Sequence, residues 1–324
     1  MLNYLKKISL LLALIFLVAC QAGNTETKSQ DQGPEKSVIY TSFFPIQDLT
    51  QQVVGDTMEV RSLMPKDKEV HDWEPSAKDL KDLSEAKCLI VNGAGLESWL
   101  PKVKDSLPDL KIIDLSQGLD LIPADHDHDH EDADHDHHHE EADHDHDGHD
   151  HGDLAYDPHT FLGPKNAIHF LDTITKEVQS LNPGHKEDYQ KNADQVKESL
   201  EGLIKDYQEK FAKAPQKTFI VPHQAFAYLG RDFGLTQYPL QGLTSLDEPD
   251  LKTVQEAIEA CKKFQVKAIF YEYGASPKAG QVIADEAGVN LLPLATMETQ
   301  VKDADHYQDL MKMNLENIAE SLGL

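Results

Sequence analysis

After Ser37 the chain alternates short runs rich in β-branched residues with amphipathic stretches, and this alternation constrains the fold more than any other feature. The first half reads SVIYTSF, PIQDLTQQVVGD, MEVRSLM, SAKDLKDLSEA, KCLIVNG, LESWLPKVKDSL and KIIDLS. Parallel strands cannot be joined by a tight turn, so strands separated by helical connections predict parallel sheets with crossover helices. A helix carrying Ile168, Leu171, Ile174 and Val178 on one face would close this first lobe. Asn182 then stands as an N-cap with Pro183 at the first helical position, ahead of a helical pattern that continues to residue 214. At 1.5 Å rise per residue such a helix would reach roughly 40 Å, enough to act as a strut between two lobes. The alternation resumes with KTFIVPH, QAFAYLGRDFG, LTQYPL, EPDLKTVQEAIEACKKF, KAIFYE, SPKAGQVIADEAG, NLLPL and HYQDLMKMNLENIAESL. The expected architecture is α/β: a βα lobe over 37–181, one long connecting helix over 182–214, and a second βα lobe over 215–324, both with parallel-rich sheets.

The first residues belong to a different class. Lys6 and Lys7 precede an apolar run from Ile8 to Val18, shorter than the roughly 20 residues a membrane span needs, so residues 1–19 read as a cleaved export signal. The small residues before Cys20 resemble the lipobox of bacterial lipoproteins, where the cysteine becomes a lipidated N-terminus. Residues 20–36 are polar, too poor in apolar groups to fold, and read as a tether. The expected location is therefore the extracellular face of a bacterial, Gram-positive cell membrane, held by lipid. Cys88 and Cys261 stand alone among apolar and helical neighbours and read as small buried residues rather than a disulfide. The net charge of -27 includes 14 acidic residues between Asp125 and Asp153, where no lysine or arginine occurs, so the remainder carries only -13. No basic face remains, which excludes nucleic acid as a partner. A monomer is expected.

In open α/β sheets ligands bind beyond the carboxyl ends of strands. Three histidines lie in such places: His71 in KEVHDWEPS, His159 in YDPHTFLGP and His223 in IVPHQAFAYLG, the last two directly after proline. A histidine held by a rigid turn can offer one ring nitrogen to a metal while an acceptor fixes the other. Three neutral imidazoles suit zinc better than manganese, which prefers oxygen donors. Two of these histidines fall in the first lobe and one in the second, which places the ion in the inter-lobe cleft. His169, His185 and His306 lie in helical patterns and read as ordinary side chains.

The lipobox, HDWEPS, the histidine-rich acidic insertion, DPHTFLGP, VPHQAFAYLG and the terminal YQDLMKMNLENIAESL together resemble the zinc-binding substrate-binding lipoproteins of metal-uptake ABC transporters, the ZnuA and AdcA types of cluster A-I (family 9). That resemblance implies zinc ligation by His71, His159 and His223, delivery to a membrane permease with its cytoplasmic ATPase, and little hinge motion. In relatives an acidic fourth ligand follows the last strand; here LLPLATMET has Ala295 near that point. Water is the first expectation for the fourth position. Glu298 is a second candidate, and Glu272 could orient a ligand or a water.

Residues 124–153 hold the insertion, with His126, His128, His130, His135, His137, His138, His139, His144, His146, His149 and His151 interleaved with carboxylates. Its composition forbids a packed core, so it is expected to be a mobile loop of the first lobe that recruits zinc. It ends eight residues before His159, so an ion held there stays near the cleft at the high effective concentration of a short tether. The expected function is extracellular high-affinity zinc capture and delivery. A surface adhesin or a metal-buffering lipoprotein is the alternative, and a zinc hydrolase is disfavoured because no H-E-x-x-H helix supplies two ligands and a base.

Overall fold

The computed structural model describes residues 37–65, 68–124, 154–243, 250–298 and 306–324. The export signal, Cys20, the tether and all eleven histidines of the acidic insertion lie outside the described residues. The first lobe is a four-stranded sheet of β1 (Val38–Thr41), β2 (Glu59–Ser62), β3 (Cys88–Val91) and β4 (Ile112–Asp114), in the order β2-β1-β3-β4. Every pairing in it is parallel. The crossovers are α1 (Phe44–Val54), α2 (Ala77–Ser84) and α3 (Leu100–Ser106). Cys-Leu-Ile-Val of β3 is buried at every position, as expected for a strand covered on both faces. α2 starts on a capping box in which Ser76 and Asp79 satisfy each other's backbone N–H groups.

Then come α4 (Pro164–Leu181) and the long α5 (Lys186–Ala212). The apolar stripe predicted for α4 is present: Leu171, Ile174 and Val178 are buried and Ile168 packs on the same core. Asn182 does not cap the long helix. Pro183–His185 forms a separate 3-10 turn, His185 occupies the N-cap, and the Asn182 amide instead donates to the Tyr189 hydroxyl at 2.8 Å. At 27 residues α5 reaches about 40 Å, burying Tyr189, Ala193, Val196, Leu200, Ile204, Tyr207 and Phe211 as one stripe.

The second lobe contains two parallel pairs, β5 (Thr218–Val221) with β6 (Thr236–Pro239) and β7 (Ala268–Glu272) with β8 (Asn290–Leu294). Around them lie α6 (Ala227–Phe233), α7 (Leu251–Phe264), α8 (Lys278–Ala287) and α9 (Tyr307–Ser321). One apolar cluster runs from Ile39 and Phe43 in the first lobe through α5 to Phe219, Val221 and Leu315 in the second. At the first lobe's α1, Asp48 Oδ2 accepts from the Tyr307 N–H at 2.8 Å, and Tyr307 Oη donates to the Phe161 carbonyl at 2.7 Å. The lobes are thus joined by packing as well as by chain. Cys88 and Cys261 are free and buried. Among the described residues no helix is long and apolar enough to cross a membrane.

Candidate metal centre

His71 sits in the loop between β2 and α2, His159 caps the 3-10 turn Thr160–Leu162, and His223 follows β5 after Pro222. These loops meet at one buried point. The side chains of His159, Glu298, His223 and His71 are 0, 1, 2 and 9% exposed, respectively. Glu298 Oε1 lies 3.2 Å from His159 Nε2, 3.4 Å from His71 Nε2 and 3.8 Å from His223 Nε2. A tetrahedral ion with bonds of 2.0–2.1 Å to N and O sets its ligand atoms about 3.3 Å apart. The observed separations from Glu298 are close to the edges of such a tetrahedron, with His223, which like Glu298 comes from the second lobe, slightly outside. The ligand atoms of His71, His159 and Glu298 all fall within 4.8 Å of one another.

None of these atoms has a hydrogen-bond partner among the described residues: the three Nε2 atoms and Glu298 Oε1 lie at ion-pair distance without hydrogen-bond geometry, and Glu298 Oε2 is also buried and unpartnered. Buried polar atoms normally find partners, so this concentration at one point marks a place built for something else. The rings are aimed from behind. Asp157 Oδ1 accepts from the His159 ring at Nδ1 (2.8 Å) and from its backbone N–H (2.9 Å), which leaves Nε2 pointing inward. His223 Nδ1 faces Glu272 Oε2 at 3.7 Å, and Glu272 Oε1 accepts from the Thr296 hydroxyl at 2.7 Å. Glu272 therefore stands behind His223.

Electrostatics follow from this geometry. Burial alone would raise the Glu298 carboxyl, but His159, His223 and His71 hold it well below the usual carboxylate range. Burial opposes charge on His159, yet Asp157 and then Glu298 outweigh it and push the ring up to about 9. At neutral pH a proton on His159 thus balances Glu298, and a divalent cation entering the centre displaces it, as imidazole must be neutral to ligate. Burial, and then the Glu298 charge, raise the carboxyl of Glu272. The same two causes push Glu69 up to about 7.

Of the two acidic candidates for the fourth position, Glu298 is the one that stands beside all three imidazoles. Ala295 is locked in place by Asn314 of α9, which accepts from its N–H at 2.8 Å and donates to its carbonyl at 2.7 Å. Met297 then takes φ +62°, a left-handed conformation that costs a residue with a side chain roughly 1–2 kcal/mol. This reversal turns Glu298 back into the centre. Sequence reasoning passed over Asp157 and Glu69. Asp157 leaves a trace as the carboxylate of Asp-Pro-His, whereas Glu69 has no signal beyond its nearness to His71. The remaining histidines among the described residues are ordinary: His169 bonds the Gln117 carbonyl, His185 pairs with Asp188, and His306 caps α9 and pairs with Asp48.

The sequence profile of the family described as zinc-uptake complex component A, periplasmic (ZnuA) matches residues 39–321. The chain belongs to the ZnuA family. The zinc-binding lipoprotein AdcA of Streptococcus pneumoniae serotype 4 is 35% identical over 332 residues, covering 98% of this chain and 61% of that protein. The chain thus spans about three-fifths of that relative's length. The high-affinity zinc uptake system protein ZnuA of Bacillus subtilis strain 168 is 34% identical over 318 residues, 96% of each chain. Among solved structures, the Zn(II)-bound ZnuA-like domain of Streptococcus pneumoniae AdcA superposes with a TM-score of 0.72 at 29% identity, over 89% of this chain and 100% of that one. The ZnuA family consists of solute-binding components of uptake systems and not of enzymes, and the two-lobe α/β fold is shared with its structures.

Proposed function

We propose that this chain captures a single zinc ion from the extracellular medium with His71, His159, His223 and Glu298 and delivers it to an ABC permease driven by a cytoplasmic ATPase. The observation that carries the reading is the convergence of three Nε2 atoms and the Glu298 carboxylate, all buried and without other partners among the described residues. Three imidazoles and one carboxylate form a tetrahedral nitrogen-oxygen set with one negative charge, which fits zinc; manganese would call for more oxygen. A nanomolar site would supply about 12 kcal/mol, ample to hold the lobes in one arrangement.

Residues 1–19 direct export, Cys20 carries the lipid that holds the protein at the outer membrane face, and 20–36 serve as the tether. Lobes over 37–181 and 215–324 flank the helix over 182–214. The eleven histidines from His126 to His151 collect zinc loosely and raise its local concentration beside the cleft.

Deleting residues 126–151 tests the division of labour. Equilibrium dialysis with zinc should find one tight ion per chain in both forms, with total capacity reduced only in the deletion. Loss of the tight ion in the deletion would move the principal binding function into the insertion.

A further inference from the structure

The turn that carries His159 is gripped from both lobes by groups that do not reach the metal position. From the first lobe, Asn92 at the end of β3 donates to the Pro158 carbonyl at 2.9 Å and accepts from the Thr160 hydroxyl at 2.6 Å, holding the residues on both sides of His159. Asn92 is itself fixed: its backbone N–H and that of Gly93 donate to the two carboxylate oxygens of buried Glu97 at 2.8 and 3.0 Å. From the second lobe, Tyr228 of α6 donates its hydroxyl to the Asp157 carbonyl at 2.8 Å and accepts from the Ile122 N–H at 3.1 Å. Tyr228 comes this close because Gly163 lacks a side chain; a Cβ there would stand 3.0 Å from Tyr228 Cβ. Asn92, Thr160 and Tyr228 are fully buried, and α6 follows directly on the His223 turn.

We propose that Tyr228 and Asn92 are positioning residues for His159, gripping its turn from opposite lobes and so setting the preference of the centre for a small tetrahedral cation. This inference rests on the zinc reading above. Tyr228 links the turn of one ligand to the helix that follows another, so it sets the spacing between His159 and His223. Asn92 prevents the turn from rolling, which would swing Nε2 off the tetrahedral corner while Asp157 still held Nδ1. Zinc with directed nitrogen donors suffers from such a tilt. Manganese, which takes more donors and more oxygen, suffers less.

The test uses Tyr228→Phe and Asn92→Ala in the full chain, titrated with zinc and manganese beside wild type and His159→Ala. Removal of partners behind a metal ligand typically weakens binding about 10–100-fold, and that loss is expected for zinc. A smaller loss for manganese should lower the zinc-to-manganese ratio, by up to about a hundredfold where manganese binding is unaffected. Cobalt in place of zinc should lose the intense visible absorption of a tetrahedral ion. In the metal-free protein above about pH 10, where the ring is neutral, the His159 15N signals should shift and broaden as the ring loses its single orientation. Thermal unfolding shows whether each variant folds; Tyr228→Phe, which keeps the ring, decides if Asn92→Ala does not. An unchanged metal ratio together with an unchanged His159 15N pattern in folded Tyr228→Phe overturns the proposal. Failure of wild type to bind zinc would sink the functional reading instead, while the metal-free 15N spectra still decide whether the two residues hold the ring.

Discussion

Replacing His159 with alanine is expected to abolish tight zinc binding, weakening it at least about a thousandfold, or ~4 kcal/mol. Two losses combine. The centre gives up its most buried donor, and Glu298 loses the first of the imidazoles that keep it ionised, so that Asp157 and Glu298 are left as buried carboxylates with less compensating charge. The metal-free protein should report the same contact through its pH dependence. A ring raised from its ordinary value of 6.5 to about 9 contributes stability that is fully present below about 6.5 and is lost as pH rises through about 9. Metal-free wild type should therefore lose melting temperature between pH 6.5 and 9.5, and His159→Ala should be nearly flat across that window. Competition with a chelating dye measures the affinity. A variant within tenfold of wild type would show that His159 is not a ligand.

Changing Glu298 to glutamine keeps the shape and removes the charge. At pH 9.5, where the His159 proton no longer competes, zinc affinity should fall by about a hundredfold, or ~3 kcal/mol. Near pH 7 the deficit should shrink. Wild type must there expel the proton that Glu298 helps hold on His159, losing up to about tenfold in affinity for each pH unit below 9. In the variant that ring is deprotonated more readily, so part of the proton penalty disappears. Chelator-buffered zinc titrations from pH 6.5 to 9.5 should give curves that diverge as pH rises. Parallel curves would mean that Glu298 and the His159 proton are uncoupled, contrary to their separation of 3.2 Å.

Much of this was readable in the residues. The alternation after Ser37 corresponds to eight parallel-paired strands with helices between them, because period and connection length are local properties. His71, His159 and His223 stood out by their places at strand ends or after proline, which is also a local signal. What escaped prediction depends on distant partners or rare backbone. Asn182 looked like the cap of the long helix until Tyr189 claimed its amide. Glu298 ranked only second to water because a methionine in left-handed conformation is not anticipated from sequence, and the preceding Ala295 is fixed by Asn314, far along on α9. The bracing of His159 by Asn92 and Tyr228 joins positions 66 and 71 residues from their partners Pro158 and Asp157, beyond the reach of any local pattern.

X-ray absorption at the zinc edge of protein loaded with one ion per chain tests the central convergence most directly. Three imidazole nitrogens and one carboxylate oxygen, all at about 2.0–2.1 Å, are expected, with the imidazole count dropping to two in His223→Ala. A six-coordinate shell dominated by oxygen, or an imidazole count that His223→Ala leaves unchanged, would contradict the joining of both lobes at a single ion.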